Sequence, residues 1–197
     1  MHGFNKRVLS AIPIENEMES ERKVLEEIID GKITDQINNT VLKHLAKTDP
    51  YYQTILKKIE PKNSIAHGSA IMGLSFLQAY TQDDSFLQKE ENLAWAGKSS
   101  HWSKFSSIAS LGLIFKNGKD KKPIAKFLPG ATDNTVSNYY PNGGSLYALG
   151  LLYTGTSNQE IIDQIIDVTT NPSYNQNEVI MHGACLGLGL TAFASGN

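Results

Sequence analysis

With a single cysteine, Cys185, the chain cannot form an internal disulfide, and that weakly favours a reducing compartment. An excess of charge is also missing. Eighteen Lys and Arg face twenty Asp and Glu over 197 residues, for a net charge of −2. That balance supports neither a nucleic-acid partner nor an anionic membrane surface. No uncharged apolar run reaches the ~18 residues that would suggest a membrane span. The first residues, MHGFNKRVLSAIPIENE, lack the continuous apolar core of a secretory signal. The five histidines (His2, His44, His67, His101, His182) show no H-x-x-x-H or H-E-x-x-H spacing, so no metal site is expected.

What the chain does have is small residues in periodic places. Gly73, Gly112, Gly150 and Gly189 stand 39, 38 and 39 residues apart, and each is followed by leucine: Leu74, Leu113, Leu151 and Leu190. Six residues before these glycines come His67, Ser106, Gly144 and Gly183. Two before come Ile71, Ser110, Ala148 and Gly187. In the last three copies both positions are small, and their i, i+4 spacing puts them on one helical face. Such a face lets neighbouring helix axes approach to the low end of the ~8–10 Å range. Glycine inside a helix costs about 0.5–1 kcal/mol relative to alanine, so its recurrence predicts compensating close packing. A two-helix unit of about 39 residues, stacked on its neighbours, is the pattern of an α-solenoid.

Residues 1–60 differ in kind. Val24, Leu25, Ile28 and Ile29 form an apolar stripe on a charged helix ending near Gly31. Ile33, Ile37, Val41, Leu42 and Leu45 form another stripe, and Tyr51 to Ile59 allows a short third helix before Pro61. After Pro61 small-rich helices (about 64–80, 103–115, 143–152 and 177–195) alternate with more polar ones (about 85–98, 123–128 and 159–169).

The motifs that could carry chemistry have plainer readings. Gly187-Leu188-Gly189-Leu190-Thr191-Ala192 spells G-x-G-x-x-A, but a dinucleotide-binding turn needs a strand before it, and Val179 to Cys185 reads as helix. The stretch Lys116 to Lys122 lacks the order of a phosphate-binding loop and reads as a solvated turn. Cys185 has no evident base and is expected to be a buried small thiol. His67 and His182 are expected to cap or pack, and Trp95 and Trp102 to anchor helices to one another. No catalytic residue, cofactor-binding residue or metal ligand is predicted. The residues singled out are the repeat positions Gly73, Gly112, Gly144, Gly150, Gly183, Gly187 and Gly189.

The segments Gly144-Ser145-Leu146-Tyr147-Ala148-Leu149-Gly150-Leu151 and Gly183-Ala184-Cys185-Leu186-Gly187-Leu188-Gly189-Leu190 resemble the core of proteasome/cyclosome repeats. The resemblance covers about residues 31–197 and is most specific over 92–195. The W-x-K-F motif from Trp102 to Phe105 points to the larger proteasomal scaffold within that family. The resemblance implies an all-α solenoid, part of a toroid of such repeats. Residues 1–60 would be the end of an N-terminal helical rod. Residues 61–197 would be three and a half repeats (about 64–102, 103–141, 142–176 and a truncated 177–197). It also implies a fragment of a non-catalytic scaffold in the base of the proteasome regulatory particle, serving ubiquitin-dependent degradation through protein–protein contacts. The expected partners are the ATPase ring and other non-ATPase subunits, with no nucleic acid, membrane or cofactor, in cytoplasm and nucleus. The alternatives are a sister proteasomal or cyclosome scaffold and, in another class, a small dinucleotide-binding enzyme using Gly187 and Gly189.

Overall fold

Helix-forming patterns dominate the sequence, and helices are what form. The computed structural model describes residues 19–48, 54, 58–59, 64–83, 100–116, 121–131 and 138–193. Among them are eight helices and no strand. The helices are α1 (Glu19–Ile29), α2 (Lys32–Thr48), α3 (Ser64–Leu77), α4 (His101–Ile114), α5 (Lys122–Ala125), α6 (Tyr139–Leu152), α7 (Gln159–Thr170) and α8 (Glu178–Thr191). This all-helical architecture is consistent with an α-solenoid. The expected polar helix at about 85–98, with Trp95, lies outside the described residues, as does most of the expected third helix at 51–59.

Local chemistry sets several helix ends. Gly31 adopts φ +78°, a left-handed conformation that suits glycine, and it closes the turn between α1 and α2. Asn158 accepts a bond from the Ile161 amide, and Asn177 from the Val179 and Ile180 amides, so α7 and α8 start on side-chain caps. Pro141 falls in the first turn of α6, where its missing N–H is no loss.

The small-rich helices α3, α4, α6 and α8 lie side by side in chain order, each packed on the next. They run parallel. Gly144, near the start of α6, lies against Phe105, near the start of α4, and Gly112, near the end of α4, lies against Ala148. The shorter partners return the chain across one side of this layer. Ile124 of the single-turn α5 and Ile161 and Ile165 of α7 are buried there with Leu146, Leu149, Leu152, Ile180 and Ala184. The partner helix expected at about 123–128 has shrunk to the one turn that inserts Ile124.

Backbone approaches backbone across the layer. A Cβ added to Gly112 would collide with the Ala148 backbone, one on Gly144 with that of Phe105, and one on Gly183 with that of Gly143. A Cβ on Gly150 would lie 2.5 Å from the Gly187 Cα, and one on Gly187 would lie 2.6 Å from the Leu146 carbonyl oxygen. Serine and threonine serve here as small residues whose polarity is already satisfied. Ser110 Oγ donates to the Ser107 carbonyl at 2.7 Å, Ser145 Oγ to the Asn142 carbonyl at 2.7 Å, and Thr191 Oγ1 to the Gly187 carbonyl at 2.9 Å.

Gly189 behaves differently. It is exposed, and a Cβ there would meet nothing within 4 Å. Cys185 is exposed too, which corrects the expectation of a buried thiol. The cause is the same for both residues: α8 turns Gly183, Ala184 and Gly187 toward α6, so Cys185 and Gly189 fall on its other face.

This asymmetry makes a paired test. Gly183→Ala forces a Cβ into the Gly143 backbone and is expected to cost about 1–3 kcal/mol in urea denaturation followed by circular dichroism. Gly189→Ala meets no neighbour and is expected to raise stability by about 0.5–1 kcal/mol, the ordinary helix-interior gain. Equal effects of the two substitutions would contradict the described packing.

Candidate functional site

The candidate site is the small-residue layer itself and the edges at which it joins its neighbours. Groups of three or more His, Cys, Asp or Glu placed to hold a metal ion are absent among the described residues. Also among them, no helix is long and apolar enough to cross a membrane. A small cavity between α3 and α4, lined by Ile71, Leu74, Ser75, Gln78, Ser110 and Ile114, has room for little more than a water molecule.

One edge is the N-terminal end of the layer, where aromatic side chains from three helices meet. Phe105, Gly143 and His182 occupy the same register position in α4, α6 and α8, seven residues before Gly112, Gly150 and Gly189. The middle residue has no side chain, so the outer two touch over α6, with ring centroids 5.9 Å apart. Trp102 makes the same crossing. Its ring stands edge-on to Tyr140 at 5.5 Å and to His182 at 5.4 Å, and it also packs on Phe105 at 5.3 Å. His101 meets Tyr140 at 5.4 Å. Edge-to-face geometry suits the ring quadrupoles and contributes about 0.5–1.5 kcal/mol per pair beyond burial. Trp102 thus anchors helices, as its sequence context suggested, while remaining 45% exposed.

Beneath this edge His67 is fully buried on α3, with Nδ1 3.2 Å from Ser103 Oγ of α4. The same Ser103 oxygen accepts the Ser100 amide at 3.2 Å, at the start of α4. In the first copy His67 therefore replaces a small residue with a polar tie to the next helix. It packs, as expected of it.

The other edge is the C-terminal end, where each helix leaves carbonyls without intrahelical partners. The preceding unit supplies donors. After α3, the Tyr80 amide donates to the Leu113 carbonyl at 3.1 Å and the Gln82 amide to the Ile114 carbonyl at 3.0 Å. After α6, the Gly155 amide donates to the Leu190 carbonyl at 2.9 Å and the Ser157 amide to the Thr191 carbonyl at 3.1 Å. All four donors have positive φ: 65° for Tyr80, 57° for Gln82, 68° for Gly155 and 49° for Ser157. Non-glycine residues rarely adopt that conformation, and here it accompanies amides aimed at the neighbouring helix. Between α4 and α6 a side chain does the corresponding work. Lys116 Nζ donates to the Leu151 carbonyl at 2.9 Å. The leucine after each of the last three register glycines (Leu113, Leu151 and Leu190) is therefore a residue whose carbonyl is tied back to the previous unit.

Lys116 revises the expected solvated turn, since its ammonium is partly buried between two helix ends. Burial holds its pKa below the usual lysine range. Lys121, from the same stretch, does reach the surface, where it pairs with Glu160 at 2.8 Å.

The repeat glycines named from the sequence fall into groups. Gly112, Gly144, Gly150, Gly183 and Gly187 lie in helix-to-helix contacts, Gly73 is half-buried on α3, and Gly189 is open. Gly187 and Gly189 also lie well inside α8, where the backbone amides serve the helix itself. They form no strand-to-helix turn that could cradle a pyrophosphate. Sequence reasoning missed the role of Lys116 and the contact that Gly143 opens between Phe105 and His182. The Gly143-Gly144 doublet was the available signal, because it clears two adjacent positions on one helix.

No family model matches the sequence. Curated relatives do. The chain is 36% identical over 181 residues to the 26S proteasome regulatory subunit RPN2 of Eremothecium gossypii, covering 87% of this chain and 18% of that protein. It is 38% identical over 144 residues to the subunit of the same name in Saccharomyces cerevisiae, covering 71% and 15%. It is 36% identical over 176 residues to the 26S proteasome non-ATPase regulatory subunit 1 of Dictyostelium discoideum, covering 87% and 17%. The chain thus spans less than a fifth of the length of these relatives.

The Lys116 tie is open to a direct test. Lys116→Met keeps much of the aliphatic stem and removes the donor, so thermal or urea unfolding should show a loss of about 1 kcal/mol. Lys104→Met, at an exposed position of α4, should change stability by less than about 0.5 kcal/mol. The Leu151 carbonyl also accepts from Thr154 Oγ1 at 2.9 Å, so a silent Lys116→Met would mean that this bond suffices.

Proposed function

The chain is homologous to a segment of the proteasome regulatory subunits named RPN2 or non-ATPase subunit 1, and from that premise we propose that it acts as a scaffold segment of the proteasome regulatory particle. It contributes to ubiquitin-dependent degradation by holding other subunits in place, and it carries out no chemistry of its own. Its partners are other regulatory-particle subunits of the base, and it acts where proteasomes do, in cytoplasm and nucleus. The observation that carries this reading is the identity of 34–38% to proteins of those names over most of the chain.

The geometry supports a mechanical role. Backbone-to-backbone contact at Gly112, Gly144, Gly150 and Gly183 leaves little freedom for one helix to slide on the next. Ties at Leu113, Leu151 and Leu190 fix the far ends of the same helices. A layer held at both ends transmits position, and a scaffold needs that property.

The test is assembly. Epitope-tagged chain, purified under native conditions, is expected to bring down base subunits of the regulatory particle, identified by mass spectrometry. The Gly183→Leu variant should lose that association along with its fold. The purified chain alone should hydrolyse neither peptides nor nucleotides. Recovery of the wild-type chain free of every proteasome subunit would sink the proposal. Thermal stabilisation by NAD or another dinucleotide would favour the enzyme alternative instead.

A further inference from the structure

Stacked repeats ordinarily touch only their neighbours, so their stability is a sum of unit terms and nearest-neighbour terms. The N-terminal edge of the layer departs from that rule. Helix α6 stands between α4 and α8. Even so, the His182 ring of α8 lies 5.4 Å from the Trp102 ring and 5.9 Å from the Phe105 ring, and both of those belong to α4.

The Gly143-Gly144 doublet of α6 permits the crossing. A Cβ on Gly143 would collide with the Val179 carbonyl of α8 and lie 3.0 Å from Phe105 Cε2 of α4. One on Gly144 would collide with the Phe105 backbone. With no side chain there, α4 and α8 close over the start of α6. The members of the crossing differ in freedom. Phe105 is buried and stacks on Tyr147 of α6 at 5.9 Å. Trp102 and His182 are both exposed, and their rings meet edge-to-face at 82°.

We propose that the Trp102–His182 crossing is a clasp that couples the second small-rich helix directly to the fourth. The docking of α8 then depends on α4 as well as on α6. A change at the exposed Trp102 reaches α8, and with it the open face that carries Cys185 and Gly189, without any repacking of α6. The clasp is a property of the packing and does not depend on the proposed proteasomal role.

Native-state hydrogen exchange of the full-length chain, read by mass spectrometry over Glu178–Thr191, tests this in a double-mutant cycle. Trp102→Ala and His182→Ala should each speed exchange of the α8 amides. The double variant should fall short of the product of the two single effects by about two- to tenfold, the range of an aromatic pair. Both side chains are exposed, so neither substitution opens a cavity in the core. Trp102→Ala also loses its contact with Tyr140 of α6, and the cycle removes that contribution. Trp102→Ala paired with Cys185→Ala, on the other face of α8, should give effects that multiply to within about twofold. His182→Phe keeps a ring over Gly143 and should retain most of the protection that His182→Ala loses. Effects of Trp102→Ala and His182→Ala that simply multiply overturn the proposal. So does an equal shortfall in the Cys185 cycle, or a His182→Phe variant that exchanges as fast as His182→Ala.

Discussion

Two helix backbones in contact, with no Cβ between them, are the constraint on which the rest of this structure depends. At Gly112 on Ala148, Gly144 on Phe105, Gly150 on Gly187 and Gly183 on Gly143, a single added carbon would overlap main-chain atoms. Main chain is the part of a protein least able to yield, so these contacts set both the spacing and the axial offset of α4, α6 and α8. The helical cost of glycine, about 0.5–1 kcal/mol per residue, is offset by the dispersion and burial that close approach allows.

From that spacing the two edges follow. At the N-terminal end, the helices lie close enough for side chains to reach over an intervening neighbour. Phe105 and Trp102 touch His182 across Gly143. At the C-terminal end, the turn after α3 and the turn after α6 reach the last carbonyls of α4 and α8 with paired backbone amides. These bonds add donors from the previous unit to those that Phe115 and Ala192 supply within each helix. Where a turn amide is not seen in that role, between α4 and α6, Lys116 brings a charged donor to Leu151. The layer is thus closed twice by backbone and once by a side chain, and all three ties act on the residue following a register glycine.

A reading of residue types reached the helical class, the small-rich helices and the close-packing role of Gly112, Gly144, Gly150, Gly183 and Gly187, because each is a matter of periodicity within one helix. It also reached the anchoring role of Trp102 and the packed histidine at position 67. It missed the exposure of Cys185, the openness of Gly189 and the partial burial of Lys116. Cys185 and Gly189 belong to a small-residue sequence that looks buried all round, but α8 has a close neighbour on one side only among the described helices. Lys116 belongs to a polar run that looks solvated, yet its stem is long enough to reach a carbonyl 35 positions away in sequence.

By itself, then, the sequence determined that this protein is helical, that three of its four small-rich helices carry small faces in register, and that its relatives are proteasome subunits. Tertiary structure alone decided which backbone each packed glycine meets, which face of α8 stays open, and that Leu113, Leu151 and Leu190 are tie points. The division has a physical reason. Hydrophobic and small-residue periodicity is written along a single helix, whereas a contact is a property of two helices and of the shift between them. That shift is chosen by how main chain fits on main chain, and it becomes visible only once both helices are placed.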